Sequence, residues 1–260
     1  MNTALTITTD EIISTAMEIG RQLLMSGAEI YRVEDSMLRI CLAYGATDCQ
    51  VYAVPTNLLV TAARPGEKPI TRMLRIYERG TNLRKLDELN ALSRELCANP
   101  AEIDEVHRRL QAISAKKDYS PVTQCIASGG AAGFFALIFS HNISTGLISF
   151  CTGVLLRYVL NYFSRFHINR IFENALGGFI IGTMAYIAAA LDFTPGYSGV
   201  VIGGIMPLIP GLTFTNSMRD IIAGDSVAGL TRFVEALLIS TSIAVGVAIP
   251  LSIGRMIIGG

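Results

Sequence analysis

Apolar positions recur at helical spacing twice near the start of the chain, then change to strand spacing, then return to helical. Thr8 or Thr9 with Asp10 and Glu11 reads as an N-cap followed by acids in the first turn. Ile12, Ala16, Ile19 and Leu23 form one face, and Gly27 supplies a left-handed stop. Ile30, Val33, Met37 and Cys41 give a second helix closed by Gly45. Asp48–Val54, Asn57–Arg64 and Pro69–Tyr77 are rich in Val, Leu, Thr and Tyr, with turns at Pro55-Thr56 and Arg64-Pro65-Gly66-Glu67, and read as three strands. After Gly80, the leucines 83, 86, 89, 92 and 96 predict a helix stopped by Asn99-Pro100. Ile103, Val106, Leu110 and Ile113 predict another, ending near Lys116-Lys117. The order αα-βββ-αα defines a small α/β domain over 1–118.

From there the pattern loses its polar face. A helix needs about 20 mostly apolar residues to span a bilayer, where lipid offers backbone groups no other partner. Residues 119–260 are expected to form a membrane domain of about five spans: 122–140, 143–163, 172–191, 195–218 and 231–256. The expected fold class is thus an α-helical integral membrane protein preceded by a small α/β domain. Gly129-x-x-x-Gly133, Gly178-x-x-x-Gly182 and Gly199-x-x-x-Gly203 put small residues on one face of three spans, which lets helices approach closely.

Composition sharpens the division. Of 21 Lys+Arg and 21 Asp+Glu, residues 1–121 hold 15 and 16, leaving six and five for the remaining 139 positions. That excludes a disordered chain, a fibrous repeat and a wholly soluble single domain. The basic residues at the end of the N-terminal domain (Lys116-Lys117), in the segment after the second span (Arg157, Arg165 and Arg170) and in the one after the fourth (Arg219 and Arg232) fall on one side, while the loops at His141-Asn142 and Asp192-Phe193 carry none. By the positive-inside rule that side, with the N-terminal domain, is cytoplasmic; Arg255 runs against the pattern. Zero net charge argues against a nucleic-acid partner. Five cysteines with no Cys-x-x-Cys, and histidines scattered at 107, 141 and 167, predict neither disulfide framework nor metal site. The opening residues lack a basic n-region and an unbroken apolar core, so no signal peptide is expected.

Candidate chemistry gathers around one stretch. Pro207, Pro210 and Gly211 interrupt an apolar run and must break the fourth span. Broken helices at membrane depth are tolerated where they are buried in protein or line a wet cavity, and they build solute sites in many transporters. Thr213, Thr215, Asn216 and Ser217 follow the break and could hydrogen-bond a small polar solute, although a bare proline kink would look the same. Asn216, Arg219 and Asp220 share a helix face, and Arg232 and Glu235 stand three apart. With Asp225 they are expected to form a gate or proton-linked network, and Glu235 serves equally well as an interfacial ion pair. The sequence has no Gly-rich phosphate loop, no Ser/His/Asp set and no paired carboxylates at a useful spacing, so neither an enzyme nor an ATP-driven pump is expected; no cofactor is implied.

Pro210-Gly211, Asn216, Arg219-Asp220, Gly224-Asp225, Gly229, Arg232 and Glu235-Ala236 resemble, in order and spacing, the threonine/serine exporter (ThrE) family. The first half is similar to that family's N-terminal portion in Ser26-Gly27-Ala28-Glu29, Arg32-Val33-Glu34, Pro55-Thr56 and Arg79-Gly80-Thr81-Asn82-Leu83. Full-length members carry a second, smaller membrane portion, so the likeness is to half-size, YjjP-type members. It implies a bacterial plasma-membrane exporter subunit working with a separate short four-span membrane protein, with a homo-oligomer as a further assembly. The implied solute is threonine or serine, or succinate as in some two-subunit members, and the expected driving force is an ion gradient, protons first. A membrane-anchored ligand-binding sensor is the alternative of another class, but anchors need neither helix-breaking prolines nor intramembrane polar groups.

Overall fold

The computed structural model describes residues 7–77, 80–166 and 169–258; Arg79, His167 and the first six residues of the N-terminal stretch lie outside the described residues. In chain order the elements are α1 (Thr9–Met25), α2 (Ile30–Ala43), β1 (Asp48–Val54), β2 (Asn57–Ala63), β3 (Ile70–Arg75), α3 (Leu83–Ala98), α4 (Ile103–Ser114), α5 (Pro121–Ser140), α6 (Ile143–Phe163), α7 (Arg170–Ala190), α8 (Ser198–Ile205), α9 (Gly211–Ala223) and α10 (Ser226–Ile258). They form two compact units. Met1–Lys117 and Leu212–Phe233 make the first; Asp118–Gly211 and Val234–Gly260 make the second. The described residues are mostly helical, with one three-stranded sheet.

In the first unit the local signals act as their chemistry requires. Thr8 caps α1 and exchanges hydrogen bonds with Glu11 in a capping box. Gly27, at φ +95°, turns the chain left-handed where a side chain would be strained. The strands form an antiparallel meander, β1-β2-β3, with Val51 opposite Val60 and Val60 opposite Arg72. Alternation on β2 turns Leu58, Val60 and Ala62 inward, while Leu59 faces out. Against that face pack Ile12, Ile19 and Leu23 of α1 and Ile30, Met37 and Ile40 of α2, with the α3 leucines 89, 92 and 96 completing one core.

In the second unit the outward surface is apolar. Phe134, Ile138, Ile143, Leu147 and Leu238 are each more than half exposed, while Gly129, Ala132, Thr145 and Ser149 are buried. Large apolar residues outside and small ones within are what a lipid solvent selects, because helices gain from close backbone approach rather than from hiding leucines. Among the described residues four helices are long and apolar enough to cross a membrane: Pro121–Ser140, Ile143–Phe166, Arg170–Ala190 and Ser226–Met256. The glycine faces sit at crossings. A methyl on Gly129 would meet Val154 and the Phe150 carbonyl on α6, and one on Gly203 would meet the Ala132 carbonyl and Ala136 on α5.

The segment expected as a fourth span is two helices. α8 has eight residues, about 12 Å of rise, well short of a ~30 Å hydrocarbon core. Pro207 and Pro210 have no N–H to give, and the chain turns through Leu208 N–H to Ile205 O at 2.9 Å and Gly211 N–H to Ile209 O at 2.8 Å before α9 begins. At this break the chain leaves the second unit, since Leu212 onward belongs to the first. α10, with Pro250 inside it, starts earlier than the expected span; its opening turns belong to the first unit and the remainder to the second.

Candidate functional site

The α1–α2 corner, residues 25–30, presents four successive backbone carbonyls beyond the end of α1's own hydrogen bonding. Such groups must find partners when buried. Each finds one far away in sequence. Gly80 N–H donates to Met25 O at 3.1 Å and Asn82 N–H to Ser26 O at 3.1 Å. Asn216 Nδ2 donates to Gly27 O at 3.1 Å, and Arg232 Nη2 to Ala28 O at 2.8 Å.

Side chains complete the junction. The N-cap of α2 is Glu29, whose side chain does not cap it. Asp220 does so from another helix, its Oδ1 accepting from Ile30 N–H at 3.2 Å. Asp220 Oδ2 lies 3.0 Å from Arg232 Nη1, an ion pair outside hydrogen-bond geometry that holds by Coulomb attraction. Asp220 is fully buried and Arg232 9% exposed, so little solvent screens the pair. Glu29, itself buried, pairs with Arg219 and, at 3.5 Å, with Arg32. α9 and α10 meet closely because residue 229 is glycine: a methyl there would strike the Ser217 carbonyl and Ile221.

Glu34 belongs to the same neighbourhood. Its Oε1 accepts from Ala53 N–H at 2.7 Å. Burial pushes its carboxyl above the usual glutamate range against that hydrogen bond, with Asp225 and Asp220 adding to the rise. A carboxyl with a raised folded-state pKa favours the fold most while protonated, and that contribution is lost as pH rises through the elevated value. The melting midpoint of the full chain in detergent should therefore fall as pH climbs from about 4.3 through the region just above it. Glu34→Gln, which keeps an acceptor for Ala53, should flatten that slope; parallel slopes for both proteins would refute the assignment.

Asn216, Arg219, Asp220 and Arg232, singled out from sequence, are thus brought together. Asp225 is adjacent: its N–H bonds Asp220 O at 2.9 Å, and its carbonyl receives Gly229 N–H. Glu235 makes a different contact, 3.6 Å from Arg170 Nη1. Ser217 is buried and donates to Phe214 O in its own helix at 2.7 Å. Thr213 is half-buried and Thr215 exposed, and among the described residues neither hydroxyl has a hydrogen-bond partner. Pro207 and Pro210 lie in the break itself, and Gly211 opens α9 directly after it. Sequence reasoning missed that the N-terminal motifs 26–29 and 80–82 and the C-terminal motifs 216–220 and 232 are one junction. Their joint presence in the family likeness was the available signal.

Four helices of bilayer length among the described residues, in a mostly helical chain whose second unit turns an apolar surface outward, have the character of a multi-pass membrane protein. The family model "Putative threonine/serine exporter" matches residues 14–254, and the chain belongs to this ThrE family. It is 26% identical over 250 residues to "Probable threonine/serine exporter" of Mycobacterium tuberculosis, covering 94% of the chain and 46% of that protein. It is 23% identical over 253 residues to "Threonine/serine exporter" of Corynebacterium glutamicum, covering 95% and 52%. It is 20% identical over 238 residues to "Probable succinate transporter subunit YjjP" of Escherichia coli K12, covering 91% and 92%. The chain spans about half the length of the first two and nearly all of the third. No solved structure matches it.

Proposed function

We propose that the chain is one subunit of a bacterial secondary exporter for small polar metabolites, threonine and serine first, and that it works with a separate short membrane subunit under a proton gradient. The observation that carries this reading is the junction. The helix that follows the Pro207–Pro210 break is tied through Asn216, Arg219 and Asp220 to the α1–α2 corner. A rearrangement at the break would then pull on the N-terminal domain, which we place in the cytoplasm. In this scheme Arg219, Asp220 and Arg232 are the gate, with Asp225 and Glu235 at its margin. Thr213 and Thr215, whose hydroxyls have no hydrogen-bond partner among the described residues, are the solute contacts nearest the break, with Asn216 and Ser217 beside them.

The near full-length likeness to YjjP favours a second solute, succinate. Both are tested together by preloading cells with labelled threonine, serine or succinate and following efflux. The chain is supplied alone and with a candidate four-span subunit, with and without a protonophore. Export of one solute that needs both proteins and stops with the protonophore is the expected result. No export of any of the three with both proteins present would overturn the reading.

A further inference from the structure

Arg157 lies on α6, a helix long and apolar enough to span the membrane, and among the described residues no carboxylate pairs with it. Its Nε and Nη2 donate to one neutral atom, Gln124 Oε1 on α5, at 3.1 and 2.6 Å. A guanidinium has five N–H donors, so most of its capacity stays open. Arg157 stands in the last two turns of α6, where a long basic side chain can reach the interface, and a guanidinium there that lacks a carboxylate partner is open to an anionic solute. One turn further along α5, on the face of Gln124, the Ser128 hydroxyl is buried without a hydrogen-bond partner. These three polar groups share a recess of about 230 Å3 with Leu156, Leu160 and, from the helix break, Pro207 and Leu208. At ~30 Å3 per water, that is room for a metabolite of a few heavy atoms.

We propose that this recess between α5, α6 and the proline break binds the carboxylate of the transported solute, with Arg157 as its counter-ion and Ser128 as a second donor. Planar guanidinium matches planar carboxylate, two N–H groups to two oxygens. Apolar Leu156, Leu160, Pro207 and Leu208 exclude water from the other side of the pair and strengthen it. Gln124, held against Nε, fixes the plane of the fork. Threonine, serine and succinate share a carboxylate, so the subsite suits each solute considered above; the identity of the solute rests on the exporter reading, the subsite itself does not. Pro207 and Leu208 are also the residues through which occupancy would be felt at the break.

The test is equilibrium binding of labelled succinate, threonine and serine to the full chain in phosphatidylcholine nanodiscs, repeated with phosphatidylglycerol added. Threonine amide serves as the competitor that lacks the carboxylate. Wild type should bind at least one acid and be displaced by that unlabelled acid but not by the amide. Arg157→Gln should weaken binding at least about tenfold, Arg157→Lys less because it keeps the charge without the fork, and Ser128→Ala a few-fold. Melting midpoints of the same samples identify any variant that has lost its fold, in which case the Lys and Ala variants carry the test. Unchanged affinity in the folded Arg157 variants, displacement by the amide as good as by the acid, or no binding of any acid by wild type overturns the proposal. So does loss of binding on adding phosphatidylglycerol with wild type and Arg157→Gln equal in its absence, which would make Arg157 a lipid-phosphate contact. Binding that persists while cellular efflux fails strikes the exporter reading and leaves the subsite standing.

Discussion

Asp220→Ala is expected to cost the first unit about 3–5 kcal/mol, because it leaves the buried Arg232 guanidinium without its carboxylate. The same change removes the acceptor for Ile30 N–H, so the first turn of α2 loses its cap as well. Asp220→Asn separates the two contributions: the amide oxygen can still cap α2, but the ion pair is gone. Exchanging both partners for apolar residues of similar volume, Asp220→Leu with Arg232→Met, should recover much of the loss, since a buried pair repays little more than its own desolvation. The unfolding midpoint of the full chain in detergent measures each step. Efflux supplies the second readout. If the pair is a gate, transport stays absent in the stability-recovered double variant, while membrane insertion is normal. Transport that returns together with stability would reduce the pair to packing. Asn216→Ala removes only the hydrogen bond to Gly27 O, about 1 kcal/mol, and is the milder probe: it too is expected to abolish efflux while leaving insertion intact.

Gly178→Ala should destabilise the second unit by about 1–3 kcal/mol, whereas Gly130→Ala should be neutral or slightly favourable. Both glycines lie inside spanning helices, so helix propensity alone would predict a gain from either change. The difference lies in what a methyl would meet. At Gly178 it runs into the Ile243 carbonyl and comes within 3.1 Å of Val247 N and 3.2 Å of Gly246 Cα, all backbone of α10. Backbone cannot rotate aside as a side chain can, so α7 and α10 must move apart along their contact. At Gly130 a methyl meets nothing within 4 Å. Detergent melting curves of the two variants side by side decide the matter; equal shifts would mean that the α7–α10 crossing yields more easily than its geometry implies.

Much of the architecture was legible because its signals are local. Thr8, Gly27, the β2 alternation and the leucines of α3 each act within a turn or two of the chain, and the observed elements follow them closely. The proline break was legible for the same reason: a residue without an N–H interrupts a helix whatever surrounds it. The glycine stripes announced close crossings, but not that Gly129 meets α6, Gly178 meets α10 and Gly203 meets α5.

The candidate sites divide along the same line. Sequence spacing put Asn216, Arg219 and Asp220 on one helix face, and charge in an apolar setting marked Arg232 as a residue that needs a partner. It did not reveal that their partners are the carbonyls of Gly27 and Ala28, the Glu29 carboxylate and the Ile30 N–H, 189 to 204 residues away. Nor did it separate Glu235, which turns to Arg170, from that group. Arg157 stood out only as one of the basic residues that set the orientation; that it shares a recess with Gln124, Ser128 and the Pro207 break comes from the packing of three elements. Capping, period and helix breaking are decided by covalent neighbours, which the sequence states outright. Pairing between distant polar groups is decided by which surfaces the apolar residues bring together, and only the folded chain fixes that.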